Sequence, residues 1–244
     1  MSLQIIEILG RSDQGVTKPF VCRADDNEIY FVKGHGAGRR GLVCEWIGSC
    51  LASRFGLPVA PFDVVDVPQE LIDLATRDDI GDLGAGPAFG SRRMQITELT
   101  ISNLLEISQQ EQIDVLAFDW WIRNGDRNLS NHGGNPNLFW DVSKEELVVL
   151  DHNQAFDEDF SVGSFVELHV FRGVCEAIKR DLVTQAQLEA RFEQTLVDFD
   201  GFCDTVPPEW WFVDAEKTIP VIFDRGQVKL ALEARRGNEF WSFT

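Results

Sequence analysis

Residues 117–156 read AFDWWIRNGDRNLSNHGGNPNLFWDVSKEELVVLDHNQAF, and the order of apolar and polar segments within them decides the fold. Leu116, Trp120 and Arg123 fall at helical spacing, and Phe118, Trp121 and Ile122 add apolar bulk. A helix is therefore expected to end at Asn124-Gly125, a strong turn signal. The polar loop GDRNLSNHGGNPN follows and carries Asp126, Asn128 and Asn131. Beyond it, a short strand over 138–140, a turn over 141–146 and a strand over 147–150 deliver Asp151 at the strand's end. A loop this polar between elements this apolar calls for a chemical reason.

The residue types fit metal-assisted phosphoryl transfer. Asp126 would orient or deprotonate an attacking hydroxyl, Asn131 would offer a neutral oxygen to magnesium, and Asp151 would add a carboxylate to the same metal cluster. Magnesium takes rigidly held oxygen ligands and keeps much of its water, so one Asn and one Asp on adjacent loops suffice when phosphates complete the shell. An Asp-x4-Asn pair followed by a metal-binding Asp is the arrangement that kinases use. A surface loop whose Asx side chains cap turns is the alternative for the same residues.

Upstream, the segments 3–9, 18–23 and 28–33 read as strands of an antiparallel meander, the last two joined by the hairpin turn Ala24-Asp25-Asp26-Asn27. GRSDQG at 10–15 reads as a tight polar turn able to lay backbone N–H groups over phosphates, or as an ordinary hairpin. It matches neither the P-loop nor the dinucleotide fingerprint. Lys33 ends the apolar strand Ile29-Tyr30-Phe31-Val32, and the loop GHGAGRRG leads from it to a helix expected over 42–55 with Glu45 in its first turn. A sheet lysine paired with a helix glutamate would hold its ammonium toward nucleotide phosphates. Read alone, the lysine emerges into solvent and Glu45 is favourable charge at a helix N-terminus. His35, Arg39 and Arg40 either touch phosphate or solvate the loop.

An extended segment over 59–67, a short helix over 69–74 and a polar, glycine-rich mobile loop over 76–86 follow. The chain turns strand-like over 88–99, where a sheet would hand over to a helical lobe. The backbone of 95–99, Glu98 included, is the candidate hinge for an adenine edge; a plain edge strand is the alternative. Helices are expected over 108–123, 165–180 and 184–199, with Pro207 or Pro208 just inside a short helix carrying Trp210 and Trp211, and a last helix over about 219–236.

Composition narrows the function. The 244 residues carry a net charge of −18, which opposes nucleic-acid backbone binding as the main role. Eighteen Phe and seven Trp foretell an aromatic core, with Trp120 and Trp121 as packing residues. The five cysteines, at 22, 44, 50, 175 and 203, lack metal-ligand spacing and follow no secretory signal, so reduced thiols in a cytoplasmic protein are expected. No apolar run approaches a membrane span. His132 and His152 flank the metal loops, yet no third zinc ligand accompanies them and the oxygen-rich set favours magnesium.

The order Lys33, Glu45, GDRNLSN at 125–131 and LDHNQAF at 150–156 resembles the HipA-like kinases, the toxin-related branch of the protein-kinase-like fold. The stretch FVKGHGAGRRGLVCEWIGSCLASRFGLPVAPF at 31–62 is similar to their segment with a nucleotide lysine, a glutamate-bearing helix and a Gly-Leu-Pro turn. The loop at 125–131 also resembles the GDRHxxN loop of phosphoinositide kinases, with Asn128 where those place His. The resemblance covers roughly residues 5–156. The Asp151 motif reads DHN rather than DFG, and Asn153, which tolerates a left-handed backbone, would stand in for the glycine.

The resemblance implies an α+β, two-lobed protein-kinase-like fold: an antiparallel-sheet N-lobe over 1–99 and a mainly helical C-lobe over 100–244. It implies ATP and Mg2+ as cofactors. Lys33 would contact phosphates, positioned by Glu45; Asp126 would be the catalytic carboxylate; Asn131 and Asp151 would hold magnesium. Gly10, Ser12 and Gly15 would belong to the phosphate-covering segment 10–17, with Ser12 or Thr17 adding a hydroxyl bond, and Glu98 to the hinge. The expected function is ATP-dependent phosphoryl transfer to a hydroxyl, first of all a protein serine or threonine. The alternatives are an inactive kinase-like binding or regulatory module, AMP transfer, or a small-molecule or lipid kinase. The partner expected is a protein substrate, with neither nucleic acid nor membrane involved and the oligomeric state open. The acidic exterior opposes anionic lipid, while the acidic patch 157–159 suits a basic substrate segment.

Overall fold

In the N-terminal strands β1 (Leu3–Arg11), β2 (Phe20–Ala24) and β3 (Ile29–Lys33), alternation explains the pairing. Phe20, Cys22 and Ala24 are buried while Val21 and Arg23 are less so, and Tyr30 and Val32 repeat the pattern on β3. The three run antiparallel in sequence order, as a meander should. β4 (Phe62–Val67) and β5 (Gly86–Arg92) complete a closed barrel in the order β1-β2-β3-β5-β4, sealed by a short parallel pairing of Leu3 with Val65 and Gln4 with Asp66. Ile5, Phe20, Cys22, Tyr30, Val32, Val65, Val67 and Leu83 fill it.

The computed structural model describes residues 3–12, 18–99, 104, 106–130 and 133–244. The chain is α+β, with an N-terminal sheet region and a helix-rich C-terminal region, and divides into two compact units. The first comprises Met1–Trp46, Ala60–Gln95 and Val206–Ile222; the second comprises Ile47–Val59, Ile96–Thr205 and Phe223–Thr244. Helix α1 (Arg39–Phe55) is divided between them at Trp46, and α2 (Gln69–Leu74) belongs to the first.

In the second unit, β6 (Ile96–Glu98), β9 (Leu138–Asp141) and β10 (Glu146–Val149) form an antiparallel sheet in the order β10-β9-β6. The stretch 88–99, expected as one strand, is thus two strands in two different sheets. The polar loop after α3 (Gln109–Ile122) also contains a small hairpin, β7 (Asn128–Ser130) with β8 (Gly133–Asn135). α3 starts at a complete capping box, Ser108 with Glu111, and ends at Arg123 in the left-handed conformation (φ 53°), one residue before the Asn-Gly signal.

The C-terminal helices are shorter than the periodicity suggests: α4 (Val162–Leu168), α5 (Cys175–Arg180), α6 (Leu182–Leu196), α7 (Phe199–Asp204), α8 (Arg225–Ala234) and α9 (Gly237–Phe240). The helix expected over 165–180 breaks because His169 leaves the helix to serve the buried site below. The last long helix begins only at Arg225, since Val213 and Ile219 pair across a turn capped by Asp214. The second unit's core is aromatic. Trp121 stacks on Phe192 at 4.5 Å between centroids and donates from Nε1 to the Leu232 carbonyl. Trp120 is also buried, among Phe160, Phe165, Phe240 and Phe243. All five cysteines are free, and burial pushes the Cys22, Cys50 and Cys203 thiols up to about 12, which keeps them inert. Among the described residues no helix is long and apolar enough to cross a membrane.

Candidate active site

In the first unit, Lys33 closes β3 in register with Phe89, and its side chain is 12% exposed. Its ammonium donates to Glu45 Oε2 at 2.7 Å, and Glu45 is 2% exposed. Because α1 begins at Arg39, Glu45 lies in the second turn, and the first turn holds no acidic residue. The expected first-turn placement is therefore corrected. Macrodipole stabilisation fades beyond that turn, and the Lys33 ammonium supplies a counter-charge to this buried carboxylate.

The loop after Lys33 is seated by glycines. A Cβ on Gly34 would stand 1.9 Å from the Leu83 carbonyl oxygen, which accepts the His35 N–H at 3.1 Å. The His35 ring covers Gly84, where a Cβ would lie 2.1 Å from Nδ1. Arg11 bridges Asp79 at 3.2 Å and Asp82 at 2.8 Å. The segment 76–86, expected as a mobile surface loop, is instead tied into the unit. Arg39 heads α1 with Nη1 buried and lacking a hydrogen-bond partner; burial lowers its pKa, against the charge of Glu209. Burial also lowers the His35 pKa, with Arg39 adding to the effect.

Gly10 lies inside β1, paired with Val21, rather than in a turn. Ser12 donates its N–H to the Pro19 carbonyl at 2.9 Å, so the strand pairing takes in residues 10–12, the first of the expected turn residues. Gly15 and Thr17 lie outside the described residues. Glu98 pairs with Phe139 in the second unit's sheet, and the N–H of Leu99 is taken by the Leu138 carbonyl.

In the second unit, Asp126 follows α3 on the 124–127 loop. Its Oδ2 accepts from Asn137 Nδ2 at 2.9 Å and from Asn135 Nδ2 at 3.4 Å. Asn135 ends β8, paired with Asn128 of β7, and Asn137 follows two residues later. Asp151 follows β10 with φ 63°, a left-handed conformation that Asp adopts more readily than most side chains. Asn153 is not among the left-handed residues, so the expected stand-in for the DFG glycine is corrected: the left-handed position is Asp151 itself. His152 is buried against α1, where Gly48 leaves room for it (a Cβ would come within 2.6 Å) and Ser49 Oγ lies 3.3 Å from Nδ1. Asn131 and His132 lie outside the described residues.

Arg127 is the residue that sequence reasoning passed over. It is fully buried, and Nε donates to Asp119 Oδ2 at 2.7 Å. Its Nη1 reaches the carbonyls of Asn137 (2.7 Å), Leu150 (3.1 Å) and Pro136 (3.2 Å). One guanidinium thus ties the Asp126 loop to the residue before Asp151. Asp119 also accepts from Asn124 Nδ2 at 2.9 Å and faces His169 Nε2 at 3.1 Å. His169 Nδ1 accepts the Phe171 N–H, so the neutral ring carries its proton on Nε2 and donates to Asp119. Burial pushes the Asp119 carboxyl up, but the charges of Arg127 and the His169 bond together hold it well below the usual carboxylate range. A lone Asp in the apolar run AFDWW, eight residues before an Arg in a loop, was the available signal.

Burial lowers the His169 pKa from 6.5, against Asp119 and with Arg127. The folded chain therefore resists a proton that the unfolded chain accepts, and stability present above pH 6.5 is lost as pH falls below it. His169→Gln keeps an N–H donor without titrating. Denaturation at pH 7.5, 6.5 and 5.5 is expected to show a shallower pH slope in this variant, by up to about 1.4 kcal/mol per pH unit. Equal slopes would mean that His169 does not report through this linkage.

Among the described residues no group of three or more His, Cys, Asp or Glu side chains converges on one point. An oxygen donor such as Asp151 suits a magnesium ion whose shell water and phosphate oxygens would complete. The buried Asn153 Oδ1, which has no hydrogen-bond partner, adds an oxygen donor beside Asp151. The donor set is of the kind magnesium takes.

No curated protein matches this sequence. Solved structures do match in fold. A Golgi casein kinase superposes with a TM-score of 0.51 at 12% identity, over 99% of this chain and 72% of that one. The Golgi casein kinase with Mn/ADP bound gives 0.52 at 13% identity, over 99% and 71%. The Helicobacter pylori proinflammatory kinase CtkA gives 0.50 at 9% identity, over 91% and 92%. At these identities the likeness concerns the fold, which is kinase-like. The profile of the HipA-like kinases matches residues 5–244, almost the entire chain, and the protein belongs to the HipA-like kinase family.

Proposed function

We propose that this protein transfers the γ-phosphoryl group of ATP, with magnesium, to a hydroxyl acceptor, foremost a serine or threonine of another protein. The observation that carries the reading is the Lys33–Glu45 pair, 2.7 Å apart and nearly buried. Burying two charges is costly, and a fold gains as much from apolar residues of the same size; an ammonium aimed at phosphates gives the pair a purpose. Lys33 would bind the nucleotide phosphates, and Asp126, held by two amides, would orient the acceptor hydroxyl. Asn131 and Asp151 would hold magnesium, which when bound offsets phosphate charge. Catalysis would rest on positioning and electrostatics, not on covalent chemistry. The acidic segment 157–159 suits a basic substrate segment, and a cytoplasmic place of action accords with the free thiols.

Calorimetry with Mg-ATP tests this. The wild type is expected to bind ATP more tightly with magnesium than without. Asp151→Ala should weaken the magnesium-dependent component by at least about tenfold, because even outer-shell partners of a metal cost that much. A folded wild type that binds no ATP would leave the chain as an inactive kinase-like module. Binding without turnover would point the same way.

A further inference from the structure

We propose that the cavity between the end of α3 and the helices α6 and α8 binds a small aromatic carboxylate. The Arg235 guanidinium would take the carboxylate, and Trp121, Phe192, Leu196 and Leu232 would surround the ring. All of these residues belong to the second unit, none is part of the candidate active site, and the inference does not rest on the kinase reading. The cavity is about 210 Å³. An apolar cavity of about 150 Å³ takes benzene, so one ring and its carboxylate have room here. The stacked pair Trp121–Phe192 gives a flat aromatic wall, and Leu196 and Leu232 are buried with it.

The charge on the cavity's edge lacks its opposite. Arg235, the C-cap of α8, is half-buried and donates from Nη1 to the Trp121 carbonyl. Arg123, two residues beyond Trp121, is exposed, and among the described residues neither arginine forms an ion pair. By contrast, Arg191 on α6 and Arg225 on α8 each hold an aspartate, at 2.6 and 2.8 Å. Burial brings the Arg235 pKa down to about 9, Arg123 adds to the fall, and no carboxylate offsets it. The glutamates that line the cavity are engaged elsewhere. Glu189 Oε1 accepts from the Gly237 N–H and from Trp241 Nε1, both at 2.7 Å, Glu193 pairs with Arg236 at 3.3 Å, and Glu233 acts on Lys229. A cation does suit the C-terminal end of α3, but the bond to Trp121 occupies only one of the guanidinium's N–H donors. A desolvated cation is costly unless paired. A planar guanidinium with donors to spare matches a carboxylate, which takes two parallel bonds. Two neighbouring arginines without counter-charge in a chain of net charge −18 thus mark a place for an anion, and the aromatic wall beside them selects one that carries a ring.

NMR of the full chain, read at the Trp121 indole N–H, tests the site with two probes of one shape, phenylacetate and phenylacetamide. Phenylacetate is expected to shift this resonance saturably with a Kd of about 1 mM or tighter, the range for a ligand of about ten heavy atoms. Phenylacetamide should bind at least about tenfold more weakly, because it cannot form the charge-assisted pair with the guanidinium. Arg235→Gln keeps an N–H donor for the Trp121 carbonyl and drops the charge. In that variant the two affinities should fall within about threefold of each other. A Trp121 resonance unmoved by phenylacetate at about 10 mM would overturn the proposal, since that is weaker than any such fit allows. Equal affinity of the wild type for the two probes would overturn it too, as would a folded Arg235→Gln that keeps the wild-type preference for the carboxylate. If Arg235→Gln does not fold, the ratio of the two affinities in the wild type decides alone.

Discussion

Asp126→Asn is expected to reduce turnover of Mg-ATP by about 10²- to 10⁴-fold, the range for losing a general base or orienting carboxylate. The fold and most of the nucleotide affinity should persist. The substitution is isosteric, and Asp126 follows α3 on a loop whose anchor is the neighbouring Arg127, buried against Asp119. What changes is the match of donors and acceptors. Asn137 and Asn135 both direct amides at Asp126 Oδ2. An Asn at 126 can rotate its carbonyl oxygen to receive them, and its other atom is then an NH2 that cannot take a proton from an acceptor hydroxyl. The variant therefore separates chemistry from structure. Its Mg-ATP affinity by calorimetry should stay within about threefold of wild type while product formation collapses, the pattern of an interaction used only in the transition state. Turnover at the wild-type rate in the folded variant would mean that Asp126 is not the orienting group.

The sequence carried the broad plan of both units because the plan depends on local signals. Alternation along Phe20–Ala24 and Ile29–Lys33 marks strands that face a barrel interior, and the Asn-Gly step marks the end of α3 to within one residue. Lys33 and Glu45 could be paired from their order, although the helix start was misplaced. The residues Arg39-Arg40-Gly41 look like loop, yet they form the first turn of α1. Where the reading fell short, the cause was non-local. Arg127 looks like the filler between Asp126 and Asn128; its meaning comes from carbonyls 9, 10 and 23 residues away along the chain. Asn137 is one of several loop asparagines until the folded chain brings its amide to Asp126. The break of the expected helix at His169 follows from the same buried cluster, because a side chain that must reach Asp119 ends a helix that periodicity alone would continue. Propensity describes neighbours in sequence, and this cluster is built from distant ones.

Arg127→Met should destabilise the chain by about 3–5 kcal/mol, the cost of removing one partner from a buried ion pair. Methionine fills similar volume, so the loss is electrostatic and not a cavity. Asp119 is left buried without its main counter-charge, and the carbonyls of 136, 137 and 150 lose their shared donor. Against the usual stability of a domain, about 5–15 kcal/mol, that places the variant near the edge of folding. Its pH dependence distinguishes this cause from general damage. In the wild type His169 resists protonation because of burial and the charge of Arg127, while Asp119 favours it. With Arg127 gone, Asp119 acts on His169 without that opposition, and a protonated imidazole 3.1 Å away can supply the missing cation. A histidine whose folded pKa is raised adds stability below its unfolded value of about 6.5 and loses it above. The stability gap between wild type and Arg127→Met, measured by urea denaturation, should therefore narrow as pH falls from 7.5 to 5.5. In an Arg127→Met/His169→Gln background the narrowing should vanish. A gap that stays constant with pH in the single variant would mean that the carbonyl bonds, and not the charge at Asp119, are what Arg127 chiefly provides.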